Sequence, residues 1–177
     1  MFGDASKALG DDIDELAELY KSNSSPPVTR SLVRAYSAYI EASVFEMRQV
    51  ALQTYRGNPE LFSPEEESVL LEKSVFLDRK GKVQSKGDYQ RFLPLVLFFS
   101  IRAYARSYGA SFEPDTGDHR WESFQHFVNF RNRLMHPKSL LDIEFDGDDL
   151  SKMMAALDWF HDTNMLMVDS IRRANNL

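Results

Sequence analysis

Three residues close together in the chain have types suited to chemistry on an ionic substrate: Arg131, Asn132 and His136, within WESFQHFVNFRNRLMHP, Trp121 to Pro137. An imidazole can take up and release a proton near neutral pH. A guanidinium is a permanent cation with a planar fork of donors. A carboxamide can donate or accept, and so can orient either of the others. No other stretch of the chain gathers these types so tightly.

The elements that must position them follow from the same segment. Read as a helix, it advances about 100° per residue. Trp121, Phe124, Phe127, Val128, Leu134 and Met135 then share one broad apolar arc, with Arg131 near its middle. A buried guanidinium left unpaired costs about 3–5 kcal/mol. Arg131 therefore needs a partner, either a carboxylate such as Glu41 or Glu46 or a facing surface. Asn132 and His136 are four residues apart and share a flank of the helix. Pro137 biases the residue before it out of the α region, so His136 should sit where the helix stops.

Around the motif helix, apolar spacing predicts three more long helices and one N-terminal helix. The first runs from about Asp4 to Tyr20 on Leu9, Ile13, Leu16 and Tyr20, and ends at the polar turn Ser22 to Pro27. A second runs from about Val28 to Tyr55 on Leu32, Tyr36, Tyr39, Ile40, Met47, Val50 and Ala51, stopped by Gly57-Asn58-Pro59. Ser63, Pro64 and Glu66 form a capping-box signature for a short helix. Val75–Leu77 and Val83–Ser85 should pair as a small hairpin around Lys80-Gly81. That stretch also holds Arg79, Lys80, Lys82 and Lys86, the densest basic cluster in the chain. It reads as a solvated loop or as a phosphate-backbone contact. A nearly all-apolar helix from about Phe92 to Tyr108 should be the most buried element, with Gly109 as its cap. Asp118 suits the N-cap of the motif helix. A last helix from about Asp148 to Asn175 carries Leu150, Met153, Leu157, Phe160, Met167 and Ile171 on one face, interrupted by Asn164.

The expected fold class is therefore all-α: a bundle of four long helices, with short helices and a small hairpin. The 177 residues read as a single domain, 1–27 being an N-terminal helix and linker and 28–177 the bundle. A 43% apolar fraction with 13 Phe supplies a core, and a net charge of −6 argues against sequence-independent duplex binding through a global basic field. Without cysteine there is no disulfide, thiolate metal site or cysteine nucleophile. His119, His126 and His161 have no metal-site spacing, and no phosphate loop is present, so no cofactor is expected. The N-terminal residues lack a signal peptide's basic and apolar regions. The apolar run from Phe92 to Ile101 is far short of the ~20 residues needed to span a bilayer. A soluble, cytoplasmic protein with no membrane partner is expected.

RNRLMHP, Arg131 to Pro137, resembles the signature of HEPN domains. These are small helical bundles with an arginine, a polar follower and a histidine in R-x4-6-H spacing near a helix end. The resemblance maps the arginine to Arg131, the polar residue to Asn132 and the histidine to His136. Arg120 and His126 also satisfy the spacing, but Trp121 follows that arginine and the two side chains leave on different faces. That pair is a decoy.

The resemblance implies a metal-independent endoribonuclease of a toxin–antitoxin or defence system. Two motifs would meet in one cleft of a homodimer, with RNA as substrate and an antitoxin protein as partner. It assigns His136 as proton carrier and Arg131 as phosphate clamp. Asn132 would hold the tautomer or bond a phosphate oxygen. Arg133, Lys138, Lys80 and Lys82 are the candidate RNA contacts. The alternative is a catalytically inactive dimerising module for protein or RNA binding, in which Arg131 merely pairs with a carboxylate. A ligand binder in the bundle groove is a third reading.

Overall fold

The computed structural model describes residues 3–86 and 93–176, and its architecture is all-α with one two-stranded sheet among them. The helices are α1 (Asp4–Ser22), α2 (Pro26–Gly57), α3 (Pro64–Leu70), α4 (Leu93–Ser107), α5 (His119–Met135) and α6 (Gly147–Ala174). Strands β1 (Ser74–Leu77) and β2 (Val83–Lys86) pair antiparallel, with Leu77 opposite Val83. Gly81 takes φ +71° in their turn, a left-handed value that costs glycine little. The Phe92 start expected for α4 lies outside the described residues. Two 3-10 turns, Pro59–Leu61 and Leu140–Ile143, add to the elements the sequence suggests.

The described residues form two compact units. Among the described residues, the first comprises 3–43 and 114–169, and the second 44–86, 93–113 and 170–176. α2 and α6 each contribute a length of helix to both.

In the first unit, α5 packs on α6 through aromatic rings. The Trp121 and Phe124 ring centres lie 4.9 Å and 5.1 Å from that of Trp159. Tyr39 of α2 meets Phe160 of α6 edge-on at 6.0 Å. Such pairs add about 0.5–1.5 kcal/mol beyond the area they bury. Phe124, Phe127, Phe130 and Leu134 are all buried to within 1%.

In the second unit a smaller core gathers Ala51 and Leu52 of α2, Phe62, Leu70 of α3 and Ala103 of α4. Ser63 accepts from the Glu66 backbone N–H, and the Glu66 carboxylate accepts from the Ser63 N–H at 2.9 Å. Glu66 also holds Arg106 of α4 at 2.8 Å. The capping box thus ties a seven-residue helix to a long one. Ser63→Ala should lower stability by about 1 kcal/mol, an ordinary N-cap loss. Glu66→Ala should cost more, because it also releases Arg106. Urea midpoints of the two variants check both the size and the order.

Candidate functional site at the end of α5

α5 begins at Asp118, whose side chain accepts from the Arg120 backbone N–H at 2.8 Å. That N–H first, and then the Arg120 guanidinium, hold the Asp118 carboxyl below the ordinary carboxylate range. A carboxylate with a depressed folded pKa stabilises the fold above its unfolded value. The contribution is lost as pH falls through the lower folded value. Asp118→Asn retains a capping acceptor but no titration there. In urea unfolding below about pH 4, wild type should therefore lose stability more steeply than Asp118→Asn.

The helix ends at the motif. His136 occupies the C-cap with φ −131° and ψ 56°, already outside the helical region, and its N–H donates to the Asn132 carbonyl at 3.1 Å. The His136 side chain is exposed, and its ring has no hydrogen-bond or ion-pair partner among the described residues.

Arg131 is held from two sides. Its Nη2 donates to Oε1 of Glu41 on α2, and its Nη1 donates to Asn132 Oδ1 at 3.0 Å. Nε is buried with no partner. The Arg131 side chain is 23% exposed and that of Glu41 is 42% exposed, so the pair sits at a partly wetted edge. Of the two carboxylates the sequence offers, Glu41 is the one that meets Arg131.

The sequence reading gives no role to a second cation of this helix end. Arg34 of α2 donates from Nη2 to the Leu134 carbonyl at 3.4 Å. A cation there offsets the negative end of the α5 dipole, which would otherwise oppose an anionic ligand. The signal is present in the sequence: Arg30, Arg34 and Glu41 recur at helical steps along one stripe of α2.

The segment after the motif is pinned by Asp142. Its Oδ2 accepts from the backbone N–H groups of Lys138 and Ser139, both at 2.9 Å. The Lys138 N–H is the main reason the Asp142 carboxyl lies below its usual range. The Lys138 side chain is exposed. Arg133 is engaged elsewhere: its Nη2 is 3.7 Å from Asp149 Oδ1, and its guanidinium lies over the Phe130 ring at 5.2 Å. Lys80 and Lys82 belong to the second unit, where both are exposed beside the β1–β2 turn.

Arg120 and His126 do not act as a pair. Arg120 is bound to Asp118 and Asp162, whereas His126 Nε2 is 2.7 Å from Asp149 Oδ1.

Two sequence expectations about the α5 face need correction. Met135, placed on the buried arc, is 44% exposed, because the helix stops there and no element covers its last residue. Phe130, absent from that arc, is 1% exposed. The arc around Arg131 is spent inside the first unit, so Glu41, and not a facing apolar surface, explains the arginine.

No family model, curated protein or solved structure matches this chain.

The end of α5 presents a free imidazole, an amide, and a guanidinium fixed by a carboxylate. Among the described residues no cluster of His, Asp and Glu could hold a metal ion. No described helix is long and apolar enough to cross a membrane.

Proposed function

We propose that this chain is a metal-independent endoribonuclease of the HEPN type, working in the cytoplasm within a toxin–antitoxin or defence system. The observation that carries the reading is the free, exposed His136 ring at the C-cap of α5, directly after the fixed Arg131–Asn132 pair. Its most economical reaction uses the substrate's own ribose. The 2′-hydroxyl gives its proton to one imidazole while its oxygen bonds to phosphorus. The bond from phosphorus to the 5′-oxygen breaks, and that oxygen takes a proton from a second, protonated imidazole, an imidazolium. The products are a 2′,3′-cyclic phosphate and a 5′-hydroxyl. Arg131 stabilises the charge that builds on the phosphoryl oxygens. Asn132 keeps Nη1 in place.

One chain has a single motif histidine, and the reaction uses two. A C2 homodimer would supply both, since such an interface sets one patch against its own copy. Met135, Leu140 and Leu141 beside the motif are 44%, 75% and 71% exposed, which supports a partner surface there. An antitoxin protein would act by covering the same face.

One observation favours a second reading, a catalytically silent dimerising module. Arg131 is already neutralised by Glu41, and a phosphate has to compete with that carboxylate. A mixed dimer separates the readings. One wild-type chain is paired with one Arg131→Ala, His136→Ala chain, and RNA cleavage is measured. A shared cleft predicts activity far below half that of wild type. Half activity would mean that each chain works alone, and no cleavage by the wild-type dimer would leave the silent module.

A further inference from the structure

The first unit contains a cavity of about 520 Å³ between α1, α2 and α6, and none of Arg131, Asn132 and His136 lines it. Its volume falls within the range of about 300–1,000 Å³ typical of small-ligand sites. Tyr36, Tyr39 and Phe160 supply aromatic wall, and Asp14 of α1 and Asp158 of α6 stand at the exposed rim. Asp11 adds a further carboxylate, and no lysine or arginine lines the cavity. His161 is the remaining ionisable side chain of the lining besides the two tyrosines.

The carboxylates act on the cavity wall itself. Burial first, and then Asp14 and Asp158, push the Tyr36 hydroxyl above its ordinary pKa. A separate observation comes from Asn164, which also lines the cavity and is only 5% exposed. Its Nδ2 donates to the Phe160 carbonyl at 2.8 Å, while its Oδ1 has no partner. The cavity thus offers negative potential and aromatic walls, while Asn164 Oδ1 lies enclosed behind its surface.

We infer that this cavity binds a small amphipathic ammonium ion, an amine cation on an alkyl or arylalkyl body. An anion would meet uncompensated carboxylates. A neutral apolar molecule would leave the field of the carboxylates unused. A bare metal ion would meet aromatic walls, and no acidic cluster among the described residues could hold it. An ammonium's charge is favoured beside the aspartates and against the tyrosine and phenylalanine rings. This inference stands apart from the nuclease proposal and shares no residue with it.

The test is titration calorimetry on the full chain at about pH 8, where an unperturbed imidazole is neutral. The probes are phenethylammonium, phenethyl alcohol and 3-phenylpropanoate, which differ mainly in charge. The ammonium should bind about tenfold or more tighter than the alcohol, and the carboxylate should not saturate. Asp14 and Asp158 are exposed, so the double variant Asp14→Asn, Asp158→Asn should fold. It should weaken the ammonium about tenfold and leave the alcohol unchanged. In an amide NMR spectrum, the Asn164 side-chain resonances should move on addition of the ammonium and not of the carboxylate. Equal affinity for ammonium and alcohol would overturn the inference. So would failure of the ammonium to saturate, or an affinity indifferent to the two aspartates.

Discussion

His136→Ala should reduce RNA cleavage by about 10²–10⁴-fold, the range a positioned general acid or base contributes. Arg131→Ala should reduce it by about 10²–10³-fold, as removal of a donor to a developing oxyanion does. Both variants should stay folded. Glu41 is 42% exposed and can be rehydrated when Arg131 is removed, so that loss should be no more than about 1 kcal/mol. His136 has no side-chain partner among the described residues, and its removal should barely move the urea midpoint. Activity and stability therefore separate, which a purely structural role for either residue would not allow. Asn132→Ala should have a smaller effect, because it frees Nη1 but leaves the Glu41 contact. His126→Ala should break the contact with Asp149 and leave cleavage intact. A chelator should not inhibit, because the proposed proton transfers run between imidazoles and ribose or leaving oxygens. The measurement is cleavage of a labelled RNA by each purified variant, with product ends identified as cyclic phosphate and 5′-hydroxyl. Full activity in His136→Ala would refute the assignment of this site.

Local rules carried the sequence reading a long way along this chain. Ser63 with Glu66, Asp118 before Arg120, and Gly109 at φ +73° after α4 are short-range signals, and each appears where the sequence places it. The helical spacing around Phe124, Phe127 and Leu134 likewise identifies a face that is buried. Pairings between helices were not legible in the same way. Glu41 and Glu46 were equal candidates for Arg131, because one-dimensional spacing does not say which turn of α2 meets α5. Asp149 meets both His126 and Arg133 from a helix that starts after a loop, so no local pattern announces it. Met135 shows the limit from the other side. Periodicity assigns it to the core, but burial requires an element to cover it, and the helix ends there.

Phe124→Ala should be among the most damaging single core truncations in the first unit, at about 3–5 kcal/mol for a fully buried aromatic side chain. Phe124 has no exposed surface. Its ring stacks on Trp121 at 5.5 Å with 14° between planes, and lies 5.1 Å from Trp159 and 6.4 Å from Phe127. Truncation removes contacts to three rings at once, and those flat, rigid groups cannot close the space. Trp159 is also anchored, its Nε1 donating to the Asp115 carbonyl at 2.9 Å, which further limits collapse into the gap. Met135→Ala, at an exposed position on the same helix, should change stability by less than about 0.5 kcal/mol. The chain has two tryptophans, and both belong to this aromatic group. Tryptophan fluorescence during urea unfolding therefore reports on the first unit selectively, whereas far-ultraviolet circular dichroism reads the helices of both. The fluorescence midpoint should fall sharply in Phe124→Ala, and a shift worth under about 1 kcal/mol would mean that the α5–α6 contact is not what holds α5 in place. Because α5 carries Arg131 and His136 at its far end, the same variant should lose cleavage in proportion to the fraction of this unit that has unfolded, with the folded fraction retaining wild-type turnover.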